Sequence, residues 1–172
     1  GVQTSVNGVQ DGDGNYGGTQ TWLNGRDTGR NDAWGYEFFG YVNVPTTGTY
    51  TFYTRSDDGS VMWIGMTRVV SNDGPHGFDE QQGSIDLAAG KHSFVIRVKQ
   101  GIGGFGLDVN YAGPGIGKQL IPDAVLTTLN PPATRAPEMP AGDTQGVFYK
   151  YFQVGGTNVG DLAGAPIVAN GQ

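Results

Sequence analysis

The stretch TYTFYTRSDDGSVMWI, residues 49–64, indicates the fold more clearly than any other part of this chain. In its first half, Tyr50 and Phe52 alternate with polar residues, and this period of two predicts a β-strand with one buried face. Residues 61–64 form a short apolar run that predicts a second strand. The acidic turn Asp57-Asp58-Gly59 separates the two strands, so both carboxylates are expected at one rim of a sheet.

The rest of the chain repeats this pattern of short strands and tight turns. Glycine accounts for 31 of 172 residues without a collagen-like period, which indicates turns at high density. Further segments with period two cover residues 34–44, 91–99 and 107–111, with Gly40 as an expected bulge in the first of them. An all-β fold, an antiparallel β-sandwich with long loops and few helices, is therefore predicted. The length suits a single domain spanning residues 1–172.

Composition excludes several classes of function. The formal net charge is −6 and no cluster of Lys or Arg is present, so nucleic acid is not an expected partner. Cysteine is absent, which excludes disulfides, thiolate catalysis and thiolate zinc sites. The sequence contains neither an apolar run of membrane-spanning length nor a signal peptide, and it does not start with Met. We therefore expect a module of a larger protein that does not insert into a membrane.

The acidic pair Asp57 and Asp58 can be interpreted as a cation site or as a simple turn. Adjacent carboxylates repel each other, and a shared cation such as Ca²⁺ removes the repulsion. A turn between strands is the alternative, because Asp-Gly favours turns.

The loop at residues 100–106, QGIGGFG, matches the dinucleotide-binding pattern G-x-G-x-x-G, but the period-two strand that follows it is not the required helix. Its glycines would instead allow backbone carbonyls to turn toward an ion.

A second acidic loop lies near the N-terminus. Residues 11–15, DGDGN, copy the beginning of an EF-hand loop, but Tyr16 occupies the sixth position and Trp22 the twelfth. The segment is therefore not an EF-hand. It is either a second, weaker calcium loop or a solvated turn. The whole stretch of residues 1–32 is expected to be a long surface loop.

The C-terminal third has two contrasting parts. Residues 130–145 form a proline-rich strap along the surface or, as the alternative, a linker, and they are expected to be extended and poor in regular hydrogen bonds. Residues 146–154, GVFYKYFQV, have strand composition, so the segment 146–172 is predicted to supply a strand that completes the sandwich.

Several short motifs in a fixed order resemble the PA14 domain family over about residues 33–115. The motifs are Gly40-Tyr41, P-x-x-G-x-Y-x-F at 45–52, SDDGSV-x-WI at 56–64, NDG at 72–74, L-x-x-GKH at 87–92 and Y-x-GPG at 111–115. The family is a β-sandwich found in bacterial toxins, glycosidases, yeast flocculins and bacterial adhesins. Since its members differ in function, the family alone does not assign one.

The resemblance implies a specific calcium site. In the lectin members, two adjacent Asp residues joined by a cis peptide bind Ca²⁺, and here these are Asp57 and Asp58. A second loop supplies an amide oxygen and two carbonyls, which fall on Gln100, Ile102 and Gly104. The yeast lectins have Asn where this chain has Gln100. Five protein oxygens are fewer than the usual six to eight ligands of calcium, which leaves room for two vicinal hydroxyls of a sugar.

The resemblance also suggests which residues contact the sugar. The predicted sugar-binding set contains the metal ligands Asp57, Asp58 and Gln100. It also contains Gly101, which follows Gln100 in its loop. His76 is expected as a wall of the sugar site, with a solvated or capping role as the alternative. Phe105 is expected to stack on a sugar face, with packing beneath the loop as an equal alternative. His76 and Phe105 are therefore included in the predicted sugar-binding set.

The ends of the chain depart from the family pattern. The family begins with an aromatic first strand, which residues 1–32 do not contain and which the segment 146–154 resembles. The domain is then either circularly permuted or followed by the start of another repeat. We favour permutation, because an aromatic strand without a partner is an aggregation hazard.

These observations predict a calcium-dependent lectin module, monomeric within a large extracellular bacterial adhesin, that binds cell-surface glycans. An enzyme is not expected, because adjacent acids that share one ion cannot flank a glycosidic bond. The alternative is a structural or protein-binding module of an extracellular protein in which calcium only rigidifies the loops. A targeting module of a glycosidase is a third reading.

Overall fold

The computed structural model describes residues 2–3, 9–10, 34–101, 104–128, 147–153, 159 and 167–171. The acidic loop at residues 11–15 and the proline-rich strap at residues 130–145 lie outside the described residues. The extent of the domain and the role of the strap therefore stay predictions.

Nearly all of the described residues belong to β-strands. The strands are β1 (Val2–Gln3), β2 (Val9–Gln10), β3 (Trp34–Val44), β4 (Gly48–Asp57), β5 (Ser60–Ile64), β6 (Thr67–Asn72), β7 (Asp79–Leu87), β8 (Gly90–Gln100), β9 (Gly106–Gly113), β10 (Ile116–Leu120), β11 (Leu126–Thr127), β12 (Val147–Gln153) and β13 (Ile167–Gly171). A single turn of 3₁₀ helix, Asp123–Val125, precedes β11. Within this described part, no helix has the length and apolarity needed to cross a membrane.

The strands form two antiparallel sheets. The first has the order β1-β12-β3-β8-β5-β6, with β11 also paired to β3 and β13 to β12. The second has the order β10-β9-β4-β7, with β2 paired to β9. The predicted fold class, an all-β antiparallel sandwich, is confirmed.

The core lies between the two sheets and is built by the alternation read from the sequence. Tyr36 and Phe38 of β3 face Tyr50 and Phe52 of β4 across it, and all four side chains are buried. Strands β5, β8 and β9 contribute the rest of the apolar layer, which includes Met62, Ile64, Phe94, Ile96, Val98, Leu107, Val109 and Tyr111. Period two thus placed the core strands correctly.

Gly40 is not a bulge, which corrects one expectation. The pairing of β3 with β8 continues without a register shift from Trp34–Gln100 to Val44–Gly90. A Cβ atom at Gly40 would lie only 2.6 Å from the carbonyl oxygen of Thr127. Glycine therefore serves a close approach of β11 to β3 rather than an irregular strand.

The aromatic segment near the C-terminus lies in the first sheet. Strand β12 pairs with β3 from Phe148–Phe39 to Gln153–Trp34, and its other neighbours are β1 and β13. Part of the N-terminal segment therefore forms short strands, although the sequence suggested only a surface excursion. Circular permutation would require such a pairing, and it stays a prediction beside the alternative of a following repeat.

Candidate calcium and ligand site

The acidic pair lies where three strands end. Asp57 closes β4 and Asp58 begins the two-residue connection to β5. Asp57 is also the register partner of Gly106, the first residue of β9. Strand β8 ends alongside, because the backbone N–H of Lys99 donates to the carbonyl of Gly59 at 2.8 Å. The fold therefore brings together the two loops that the sequence assigns to calcium.

Asp58 is anchored to the backbone of two other loops through both of its carboxylate oxygens. The peptide bond between Asp57 and Asp58 is cis, as the resemblance implies. The N–H of His76 donates to Asp58 Oδ1 at 3.1 Å, and the N–H of Gly101 donates to Oδ2 at 2.7 Å. Because backbone donors hold both oxygens, the carboxylate is fixed in position.

Gln100 connects the second loop to the acidic pair. Its Oε1 accepts a hydrogen bond from the backbone N–H of Asp58 at 3.0 Å. The residue is only 2% exposed, and its Nε2 has no hydrogen-bond partner. A buried amide donor without a partner is costly, and it marks a place where a bound group would complete the structure.

The donor set suits a hard cation. Asp57 and Asp58 are each 8% exposed, so two neighbouring carboxylates are largely withdrawn from water. The Oε1 of Gln100 and both oxygens of Asp58 each retain a lone pair beyond the hydrogen bonds described. In the described part of the chain, no three His, Cys, Asp or Glu side chains form a metal cluster. A cation here would therefore need amide and carbonyl oxygens as well, which calcium accepts.

The predicted loop carbonyls are only partly described. Gly104 is half-buried and lies two residues before Gly106, the partner of Asp57. Ile102 lies outside the described residues. Gly101 reaches the acidic pair through its N–H group, as given above. The roles of Ile102 and Gly104 as metal ligands stay predictions.

His76 lies beside the acidic pair, and its ring is anchored at both nitrogens. Nδ1 lies 2.8 Å from the carbonyl oxygen of Gly77, and Nε2 lies 3.0 Å from that of Asn72. Burial lowers the pKa of the imidazole, but these two carbonyls and the nearby carboxylates of Asp58 and Asp79 raise it above 6.5 on balance. The ring thus anchors the turn at residues 72–77 beside Asp58, and its role as a wall of the sugar site stays a prediction.

The stacking role predicted for Phe105 does not agree with its position. Its ring is fully buried and belongs to the core between the sheets. A ring with no exposed face cannot stack on a sugar, so the alternative of packing beneath the loop is the one the structure supports. Apolar packing takes precedence because the residue precedes β9, whose inward side chains line the same core.

Asn72 is a residue whose importance sequence reasoning missed. Its buried side-chain Nδ2 lies within 3.3 Å of the Thr54 carbonyl, 3.2 Å of Ser56 Oγ and 3.0 Å of the Asp79 carbonyl. It thereby joins β6 of the first sheet to β4 and β7 of the second, directly below the acidic pair. The NDG motif at residues 72–74 indicated a turn, but nothing in the sequence showed that the Asn side chain points inward.

Lys99 is a second residue that was missed. It lies one position before Gln100 and is completely buried. Its Nζ donates to the carbonyl of Gln100 at 3.0 Å. In the sequence Lys99 is the last residue of an alternating segment, and nothing there indicated that its side chain is buried.

Comparison with known proteins agrees with this architecture. Among solved structures, an anti-sigma factor domain-containing protein is similar with a TM-score of 0.54 and 24% identity, over 59% of this chain and 36% of that one. The PA14 domain of the MpAFP antifreeze protein is similar with a TM-score of 0.51 and 19% identity, over 59% and 55%. An anti-sigma factor domain-containing protein from Clostridium clariflavum gives 0.51 and 23%, over 54% and 32%.

These likenesses concern the fold. The matched regions span between about a third and just over half of the other chains. No curated protein matches this chain. The sequence model of the PA14 domain matches residues 10–124, which is 115 of the 172 residues. By that match, this chain belongs to the PA14 domain family.

Proposed function

We propose that this domain binds carbohydrate through a calcium ion held at the end of the sandwich. The observation that carries the proposal is the buried amide of Gln100. Its Oε1 is fixed against the backbone of Asp58, while its Nε2 has no partner. A ligand that offers an oxygen at this point would satisfy the donor, and a sugar hydroxyl does so.

Different residues of the site would bind the ion and the sugar. Asp57, Asp58, the Oε1 of Gln100 and the carbonyls of Ile102 and Gly104 would hold the ion. Calcium would neutralise the acidic pair and accept two vicinal hydroxyls in its remaining coordination positions. The N–H groups of His76 and Gly101 keep the Asp58 carboxylate in one orientation. The Nε2 of Gln100 would donate to one of the sugar hydroxyls.

This arrangement supports a binding module rather than an enzyme. Carboxylates that cleave a glycosidic bond lie about 5 to 9.5 Å apart on either side of it. Asp57 and Asp58 are neighbours on one side of a single site, so they cannot flank a bond. The nearby histidine ring is already bonded to two carbonyls.

The wider setting follows from the same chemistry. A small sugar held by a few contacts gives weak affinity at each site, so strong attachment would need many copies. Extracellular calcium is concentrated enough to fill a site of modest affinity. We propose that the domain serves as a module of a larger adhesin that acts on cell-surface glycans, at the bacterial surface or in secreted form.

A glycan array with and without chelator tests the proposal. The wild-type domain is expected to bind a subset of glycans in the presence of calcium and none after EDTA treatment. Titration calorimetry with calcium alone measures binding of the ion separately from binding of the glycan. Asp58→Asn should abolish both, because an amide can accept from only one of the two N–H groups that hold Asp58 and carries no charge.

Asp86→Asn provides the matched control. It also removes one carboxylate charge, but Asp86 is exposed and bonded to Thr49, far along β7 from the site. It should bind calcium and glycans like the wild type. If calcium binds but no glycan does at any density, the alternative of a structural or protein-binding module in which calcium rigidifies the loops replaces the proposal. If calcium does not bind at all, both readings fail.

A further inference from the structure

The carboxylate of Asp73 joins two distant parts of the chain. Its Oδ1 accepts from the N–H of the next residue, Gly74, at 2.9 Å. The same oxygen accepts from the N–H of Val159 at 2.7 Å, a residue 86 positions later that is only 2% exposed. The first bond is local to a turn, whereas the second ties that turn to the C-terminal part of the chain.

The turn that Asp73 opens lies against the acidic pair. A Cβ atom at Gly59, the residue after Asp58, would lie 2.8 Å from the nitrogen of Gly74 and 3.1 Å from Asp73 Oδ1. Glycine at 59 is therefore what allows the turn to approach so closely. Two residues after Gly74, the N–H of His76 holds Asp58 Oδ1. A shift of the turn would move that N–H away from the carboxylate.

The partner of Asp73 does not belong to the matched PA14 core. The family model ends at residue 124, whereas Val159 lies beyond it. Strand β12, also beyond residue 124, pairs with β3, so this part of the chain is already joined to the first sheet. The Asp73–Val159 hydrogen bond extends that attachment to the rim where Asp58 lies.

We infer that Asp73 is a positioning residue that lets the C-terminal segment fix the ligand site. The chain of contacts runs from Val159 to Asp73, through Gly74 and His76, to the carboxylate of Asp58. The consequence for calcium affinity rests on the proposed function. The mechanical link between Val159 and the His76 N–H does not, and it can be measured on its own.

Three variants separate the parts of this link. Asp73→Ala removes the acceptor for both N–H groups, while Asp73→Asn keeps a side-chain oxygen in the same place. Val159→Pro removes only the distant donor and leaves the local turn intact. Hydrogen exchange of the His76 amide, followed by NMR on the full chain, reports whether its bond to Asp58 opens more often. Amides in the middle of the β3–β8 pairing serve as the internal reference.

Val159→Pro is expected to speed exchange at His76 by about tenfold, the loss of one hydrogen bond, with the reference amides unchanged. Asp73→Ala, which removes the acceptor of two hydrogen bonds, should speed it by at least as much. Asp73→Asn should exchange like the wild type. The double variant Asp73→Ala/Val159→Pro should be no faster than Asp73→Ala alone, because both changes break the same bond. Calcium affinity, titrated with the metal alone, should be lower in Asp73→Ala and Val159→Pro than in the wild type and should be unchanged in Asp73→Asn.

Other outcomes overturn the inference. If Asp73→Ala speeds exchange and Val159→Pro does not, Asp73 serves only its local turn. If Val159→Pro also speeds the reference amides, it has disturbed the fold, and the comparison of Asp73→Ala with Asp73→Asn decides instead. Equal exchange at His76 in those two variants refutes the role of Asp73. If the wild type binds no calcium, the proposed function fails, while the exchange rates still decide whether the link exists.

Discussion

The two ends of this sandwich both reverse the chain in turns that contain or precede glycine, but they differ in how their polar groups are satisfied. At the end away from the acidic pair, the turns at residues 45–47 and 88–89 are exposed, and their bonds are local or between neighbouring turns. Tyr50 donates to the carbonyl of Thr46 at 2.9 Å, and Ala89 donates to Thr47 Oγ1 at 2.9 Å. At the acidic end, carboxylates and amides are buried, and the Nε2 of Gln100 lacks a partner.

The difference shows what distinguishes a binding site from an ordinary turn in this fold. Glycine lies in or directly after the turns at both ends, at Gly48 and Gly90 on one side and at Gly59 and Gly74 on the other, because both ends must reverse the chain. Water satisfies polar groups at the exposed end, so their arrangement is of little energetic consequence. At the buried end each group needs a protein partner or a ligand, and the backbone positions are set accordingly.

The largest contrast is expected in stability, between Asn72→Ala at the acidic end and Thr47→Ala at the other. Asn72→Ala should lower the free energy of unfolding by about 3 kcal/mol, because it removes the buried donor that reaches the carbonyl of Thr54 and the hydroxyl of Ser56. Thr47→Ala removes an exposed bond and should cost no more than about 0.5 kcal/mol. Urea unfolding of both variants checks this. Equal losses of unfolding free energy in the two variants would show that burial of polar groups does not distinguish the two ends.

The strands and the core could be predicted from the sequence because their information is local. Alternation such as that of Tyr50 and Phe52 identifies a strand and its buried face without reference to the rest of the chain. The acidic pair could also be found, since two adjacent carboxylates before glycine are unusual. Gln100 was found only through the family resemblance, because nothing local distinguishes it from a surface glutamine.

The remaining parts of the site depend on contacts that no sequence pattern encodes. Asn72 and Lys99 look like ordinary turn and strand residues, and only the packing of the two sheets buries them. For Phe105 the sequence left stacking on a sugar and packing beneath the loop as equal alternatives, and only the packing of the core decides for the second. The bond from Val159 to Asp73 joins segments separated by 86 positions.

A second contrast tests whether the side-chain amide oxygen of Gln100 is a calcium ligand. Gln100→Met removes the amide while keeping the length of the side chain, and it should weaken calcium binding by roughly 100-fold. Stability should change by less than about 1 kcal/mol, because the lost bond to Asp58 is offset by removal of the unsatisfied Nε2. Titration calorimetry and urea unfolding measure the two effects separately.

Gln100→Asn is the matched control for this substitution. It keeps an amide oxygen on a side chain one methylene shorter, so calcium binding should persist with a loss of no more than about tenfold. Should Gln100→Met bind calcium as well as Gln100→Asn does, the amide is not a ligand. The buried Nε2 would then need a partner of another kind.

The smallest contrast uses the two histidines, one at each end of the sandwich. Each ring donates from Nε2 to the carbonyl four residues earlier: His76 to Asn72 at 3.0 Å and His92 to Ala88 at 2.7 Å. His76→Ala keeps the backbone N–H that holds Asp58 but frees the turn that carries it. We expect calcium affinity to fall about fivefold, the equivalent of one modest hydrogen bond.

His92→Ala should leave calcium and glycan binding unchanged, because its ring anchors a turn at the opposite end. Glycan affinity in saturating calcium would then show whether the His76 ring also contacts the sugar, since a loss beyond that for calcium alone requires a direct contact. Equal effects of the two substitutions on calcium binding would mean that rigidity of the whole sandwich, rather than local anchoring beside Asp58, sets the affinity.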